Sequence, residues 1–174
     1  IFTNSKIIVD DDDCITSITT SKKKKALNLI RAQVDGAPAI LYRKRINRIF
    51  SSGLIGTNFT KTNEYLEADI IHLHWINGGF VNIKHLKSIS KPIVWTMRDM
   101  WAFTGGSHYT MDFEKYENSF TSKLIQKFKK KIYNKNFQFV AVSNWLKFRA
   151  EKSEVLKGYD IKKIDNNIDL DDFN

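Results

Sequence analysis

Four small groups of residues in this 174-residue chain combine side chains that can do chemistry. In Asp69-Ile-Ile-His-Leu-His74 the two histidines are two apart, so on a strand both point to one face. With Asp99 or His108 as a third ligand they could hold a metal. As a packed histidine and a strand-end polar residue they need none, and this is favoured because no further cluster has metal-ligand spacing. His74 is nearer the carboxyl end and leads into Trp75-Ile-Asn-Gly-Gly79, where Gly78 and Gly79 would let backbone approach a ligand closely. Arg98 and Asp99 follow the next apolar run. There the guanidinium could meet phosphate or carboxylate, and the carboxylate could accept hydroxyls of a sugar. Equally, the two could pair with each other or cap a short helix. Gly105-Gly106 ahead of His108 reads as a phosphate-cradling turn or as a flexible loop tip. Ser143 lacks the flanking glycines of a nucleophile elbow and reads as a helix N-cap.

The elements that must position these residues follow from periodicity. Ser5 to Val9 reads as a short strand ended by Asp10 to Asp13. Ala26, Leu27, Ile30 and Val34 have helical spacing, with Gly36 and Pro38 closing the helix that starts at Lys22. Ile40 to Phe50 is a mixed basic and apolar helical segment, and Thr62 to Leu66 a brief helix. Asp69 to His74, Pro92 to Thr96 and Gln138 to Val142 are strands, with a last short one at Ile161 to Ile164. Between the first two, Val81 to Ile89 fits a short crossover helix. Phe120, Leu124, Ile125, Phe128 and Ile132 form an apolar helical stripe accompanied by Lys123, Lys127, Lys129, Lys130 and Lys131. That stripe is expected to pack on the sheet with the lysines facing water, and the basic helix could also dock on an anionic membrane. Strands alternating with helices predict an α/β fold with a parallel, doubly wound sheet.

Composition narrows the function classes. An apolar fraction of 42% with 12 Phe, 6 Tyr and 4 Trp supplies a core and argues against disorder. Cys14 is the single cysteine, so there is no internal disulfide or multi-cysteine zinc site, which fits a reducing compartment. No apolar run is long enough to span a bilayer, and no signal-peptide pattern opens the sequence. The net charge is +9, with clusters at Lys22 to Lys25, Arg43 to Arg48 and Lys123 to Lys135. Such a balance admits nucleic acid, anionic lipid or a phosphorylated ligand, or simply a solvated surface. There is no Gly-x-Gly-x-x-Gly and no Walker sequence.

Taken in order, Asp69-Ile-Ile-His-Leu-His-Trp75, Ile93-Val-Trp-Thr-Met-Arg-Asp-Met-Trp-Ala-Phe-Thr-Gly-Gly-Ser-His-Tyr109, Phe139-Val-Ala-Val-Ser-Asn-Trp-Leu146 and Asn166-Asn-Ile-Asp-Leu-Asp-Asp-Phe173 form a recognisable series. The chain resembles the amino-terminal domain of bacterial family 4 glycosyltransferases, in the branch that builds capsular, exo- or lipopolysaccharides. The resemblance runs from about Glu64 to the end. It implies one half of a GT-B fold: a Rossmann-like acceptor-side domain facing a donor-binding domain across a cleft. It also implies retention of anomeric configuration, no bound metal or cofactor, and a nucleotide sugar as donor substrate. The partners it implies are a glycan or lipid-linked glycan acceptor and an anionic membrane surface, not nucleic acid. The implied location is cytoplasmic, peripheral on the inner face of the membrane. By the same resemblance Arg98 and Asp99 are the catalytic candidates. His74, Trp75, Gly78, Gly79, Trp101, Thr104, Gly105, Gly106, His108 and Ser143 are the substrate-binding ones.

The sequence departs from the family pattern at several places. Arg98 stands where a histidine is usual; always protonated, it can act only as a charge or donor. Ser107 and Phe113 stand where cysteines are common, so any cysteine-based ordering of that loop is gone. Asn167 replaces a turn glycine, and Asn tolerates the left-handed backbone such a turn needs. The chain starts at Ile1 rather than Met and, against the family, after the first strand and its Gly-rich loop. It stops before the donor domain and its Glu-x7-Glu motif. Residues 1–174 are therefore expected to be a partial domain with an exposed sheet edge, unable to transfer sugar alone. Two other readings remain open: a basic nucleic-acid-binding module and a metal-dependent hydrolase using His72, His74 and Asp99.

Overall fold

The computed structural model describes residues 2–3, 16–17, 21–40, 49–109 and 117–167. Strands β1 (Phe2–Thr3) and β2 (Thr16–Ser17) pair in parallel as a two-stranded sheet. The main sheet has four parallel strands in chain order, β3 (Ile71–Leu73), β4 (Ile93–Met97), β5 (Phe137–Ala141) and β6 (Ile161–Lys163). Helices α1 (Lys22–Ile40), α2 (Asn63–Glu67), α3 (Phe120–Ile132) and α4 (Asn144–Glu151) flank it. This is the α/β, Rossmann-like parallel arrangement expected. The proposed strand at 5–9 and the basic stretch 41–48 lie outside the described residues, as does most of the acidic tail.

Register explains which face forms the core. Leu73, Trp95, Phe139 and Ile161 lie in one row, with Ile71, Ile93 and Phe137 in the row behind. All seven are buried, and period-two alternation places them on one side. Rings of Trp95, Tyr133, Phe137, Phe139 and Tyr159 interlock there, with Phe139 and Tyr159 edge to face at 5.1 Å. The opposite side is only partly covered. His72 and Lys162 are exposed, Val94, Thr96 and Gln138 half-buried and Val140 buried, where a doubly wound sheet would bury the whole of both faces.

Three expectations need correcting. Gly36 and Pro38 do not close α1, which runs on to Ile40 with Pro38 inside it. Tertiary bonds override the local propensity. Buried Asp35 accepts the hydroxyls of Ser51 and Ser52 (2.6 Å for Ser52), and its carbonyl accepts the Ser52 N–H at 3.1 Å. The Val81–Ile89 crossover is a tighter 3-10 helix over Ile83–Ser88, capped by Asn82. Its short span leaves room for one buried pair, Ile83 and Leu86. No described non-glycine residue has a positive φ, so Asn167 does not take the left-handed turn conformation.

The phase of α3 also differs from the expected stripe. Its buried arc is Ser122, Ile125, Lys129 and Ile132, whereas Phe120 and Leu124 are exposed. Small Ser122 lets the helix approach Gly105, where a Cβ would lie 2.6 Å from the Ser122 Cα. This close approach rotates Lys129, expected in water, into the interior at 0% exposure.

Candidate functional site

A cleft opens at the carboxyl ends of β3 and β4, where ligands of parallel α/β sheets bind. Its walls include His74, Trp75, Asn77, Arg98, Asp99 and Trp101. The sequence thus brings together five of its named candidates, and the structure adds Asn77.

Each arrives by a definable route. His74 and Trp75 leave β3 and are exposed. Partial burial, then the neighbouring His72 and Arg98 charges, holds the His74 imidazole below its ordinary pKa range, so at neutral pH it is an uncharged acceptor. The His72 and His74 rings lie 4.2 Å apart, and His72 is bonded to the Thr96 hydroxyl at 2.9 Å. Arg98 leaves β4 into solvent and makes no hydrogen bond or ion pair with a described residue. Its neighbour Asp99 has both oxygens engaged. One accepts the Trp101 N–H at 2.9 Å; the other faces His108 Nδ1 at 2.6 Å. Arg98 and Asp99 therefore do not pair with each other. The Asp99 bond to Trp101 N–H leads into the 3-10 turn Trp101–Phe103, whose own N-cap, Met100, makes no side-chain cap bond. Among the described residues no three His, Cys, Asp or Glu side chains converge on one point.

His108 is buried behind the cleft. The Asp99 carboxylate accepts the Nδ1–H bond and orients the ring, turning Nε2 toward Asn77. Asn77 Nδ2 approaches that nitrogen at 3.5 Å. The half-exposed indole of Trp75 lies over His108 with centroids 6.0 Å apart. Trp101 forms the floor: it is buried, and its Nε1–H donates to the Ser51 carbonyl at 2.6 Å.

The remaining candidates position the cleft without lining it. Gly78 and Gly79 have φ of +63° and +75°, and a Cβ on Gly79 would stand 2.7 Å from the α1 backbone at Arg31 and Ala32. At Gly79 the close approach that needs glycine is to a helix, whereas a Cβ on Gly78 would meet the Trp75 ring at 3.4 Å. Gly105 meets Ser122 in the same way, and a Cβ on Gly106 would strike the Phe50 ring at 2.5 Å. Neither cradles the cleft. Thr104 bonds the Ser107 carbonyl through its hydroxyl. Ser143 caps α4, accepting the Leu146 N–H at 3.2 Å, and is not a wall of the cleft.

Sequence reasoning missed the buried polar supports. The Ser51 hydroxyl donates to Asp35 and accepts the Gly78 N–H at 3.2 Å, joining α1 to the turn that carries Asn77. Glu117 accepts from Ser107 Oγ, Gly105 N, Ser122 Oγ and Gln126 Nε2. A carboxylate thus ties this loop to α3. Lys129 Nζ donates to the carbonyls of Trp101 at 2.5 Å and Thr104 at 3.0 Å, and sits 3.6 Å over the Trp101 ring. The signal for these residues was weak, because their partners lie 5 to 50 positions away.

No family model, curated protein or solved structure matches the chain.

Proposed function

We propose that this chain is the acceptor-side domain of a retaining glycosyltransferase that moves a sugar from a nucleotide-sugar donor to a polysaccharide or lipid-linked glycan. The observation that carries the reading is one cleft holding Trp75, Asn77 and Arg98 at the carboxyl edge of a parallel sheet. A half-exposed indole offers a flat apolar face to a pyranose ring. The uncharged His74 imidazole and the Asn77 amide suit hydroxyls, and Arg98 offers a forked cation to a donor or lipid phosphate. Asp99 acts as a positioning residue for His108 rather than as a base, since both of its oxygens are engaged. The motif series of the sequence supports the same reading. With Arg98 where the resembled family carries a histidine, charge stabilisation replaces proton transfer at that position.

The outward face of α3 fits the lipid side of such chemistry. It presents Phe120, Lys123, Leu124, Lys127, Lys130 and Lys131 and no acidic residue. We propose peripheral contact with an anionic membrane through this face; no helix of the described residues is long and apolar enough to cross one.

The test is calorimetric titration of the chain with methyl glycosides of glucose, galactose and N-acetylglucosamine. At least one should bind, and Trp75→Ala should weaken it at least about fivefold, the effect of losing roughly 1 kcal/mol of apolar contact. Binding that is absent for all three, or unaffected in W75A, contradicts the reading.

A further inference from the structure

Asn77 is 3% exposed, yet its side-chain carbonyl oxygen has no hydrogen-bond partner. Buried polar groups are nearly always paired, so such an orphan at the wall of a cleft asks for an explanation. Asp99 holds the His108 ring through Nδ1, and the Asn77 amide places its nitrogen 3.5 Å from His108 Nε2. The oxygen is left on the other side. The backbone beneath is held as well: the Asn77 carbonyl accepts the Phe80 N–H at 3.3 Å, and Gly78 N–H donates to Ser51. Asn77 and the half-exposed Trp75 indole line the same cleft.

We infer that the Asn77 side-chain carbonyl is the cleft's acceptor for a ligand hydroxyl, aimed there by the Asp99–His108 pair. The inference rests on the carbohydrate reading, since a sugar ring stacked on Trp75 would bring hydroxyl donors to this oxygen. A ligand without a donor at that point would leave the orphan unpaired and bind less well. Asp99 and His108 are positioning residues in this scheme, and Asn77 makes the contact.

Asn77→Leu tests it, because an apolar side chain of similar volume removes the orphan. Affinity for the methyl glycoside that binds the wild-type chain best should fall about tenfold, the loss of one neutral hydrogen bond at the upper end of its range. Because N77L also strips the 3.5 Å contact from His108 Nε2, the thermal midpoint should fall slightly, and affinity is read well below it. Unchanged affinity in N77L overturns the inference while leaving the carbohydrate reading intact. Failure of all three glycosides to bind the wild-type chain removes both. Should N77L not fold, the wild-type chain decides: at saturating glycoside the Asn77 side-chain amide resonances must shift. Saturation without movement of those resonances overturns the inference.

Discussion

Lys129 carries a charge-bearing amine into the interior beneath the cleft floor. Burial pushes its pKa down from 10.5 to about 7, partly opposed by the negative charges of Glu117, Asp99 and Asp35. Between those two values the unfolded chain holds a proton that the folded chain has released, so stability rises as pH increases from about 7 toward 10.5. Below that window both states are protonated and the contribution is flat. Urea unfolding at pH 7 and pH 9.5 should therefore show a larger gain for the wild-type chain than for Lys129→Met; equal gains would contradict this account. Nothing in the run Lys127 to Lys131 marks one lysine as buried. The distinction comes from the carbonyls of Trp101 and Thr104, more than twenty residues away. Trp75, Arg98 and Asp99, by contrast, were legible as lining residues of the cleft because they directly follow apolar strands. Asp99's engagement with His108 was not, since spacing does not reveal which groups satisfy one another.

At the scale of elements, glycine placement decides how closely helices dock. Gly105→Ala would force a Cβ to within 2.6 Å of the Ser122 Cα and push α3 away from the loop. A loss of about 1–3 kcal/mol is expected from chemical denaturation, the usual cost of overpacking. Gly36→Ala should do the reverse. Inside α1 its nearest neighbour would be the Phe50 carbonyl at 3.7 Å, so the change should add about 0.5–1 kcal/mol of helix stability. Similar effects for both variants would contradict the packing described. For α3, charge reversal at Lys127 and Lys131 should abolish cosedimentation with phosphatidylglycerol vesicles, each lysine contributing about 1 kcal/mol near such a surface. Wild-type chain that fails to sediment with these vesicles would remove the membrane proposal. The four strands of the main sheet were readable from short apolar runs to within one or two residues, whereas the pair β1 and β2 was not. The course of α1 past Gly36 and Pro38 was not, because Asp35 and the serines that hold it stand 16 and 17 positions apart.

For the whole molecule, alternation of strands and helices was enough to foresee a parallel sheet, whose carboxyl edge carries the cleft. Chain order then became strand order, β3 to β6. The open second face was not foreseeable, since apolar runs such as Phe139 to Val142 suggest burial on both sides while the exposed His72 and Lys162 depend on what packs above them. The central claim is that the cleft between the β3 and β4 ends binds a glycan. Proton–nitrogen correlation spectra of the labelled chain, recorded during titration with the three methyl glycosides, test it most directly. The account predicts shifts concentrated at the Trp75 indole N–H and the backbone amides of His74, Arg98 and Asp99, with the Trp145 indole unmoved. Spectra that stay unchanged, or shifts centred away from this cleft, would contradict it.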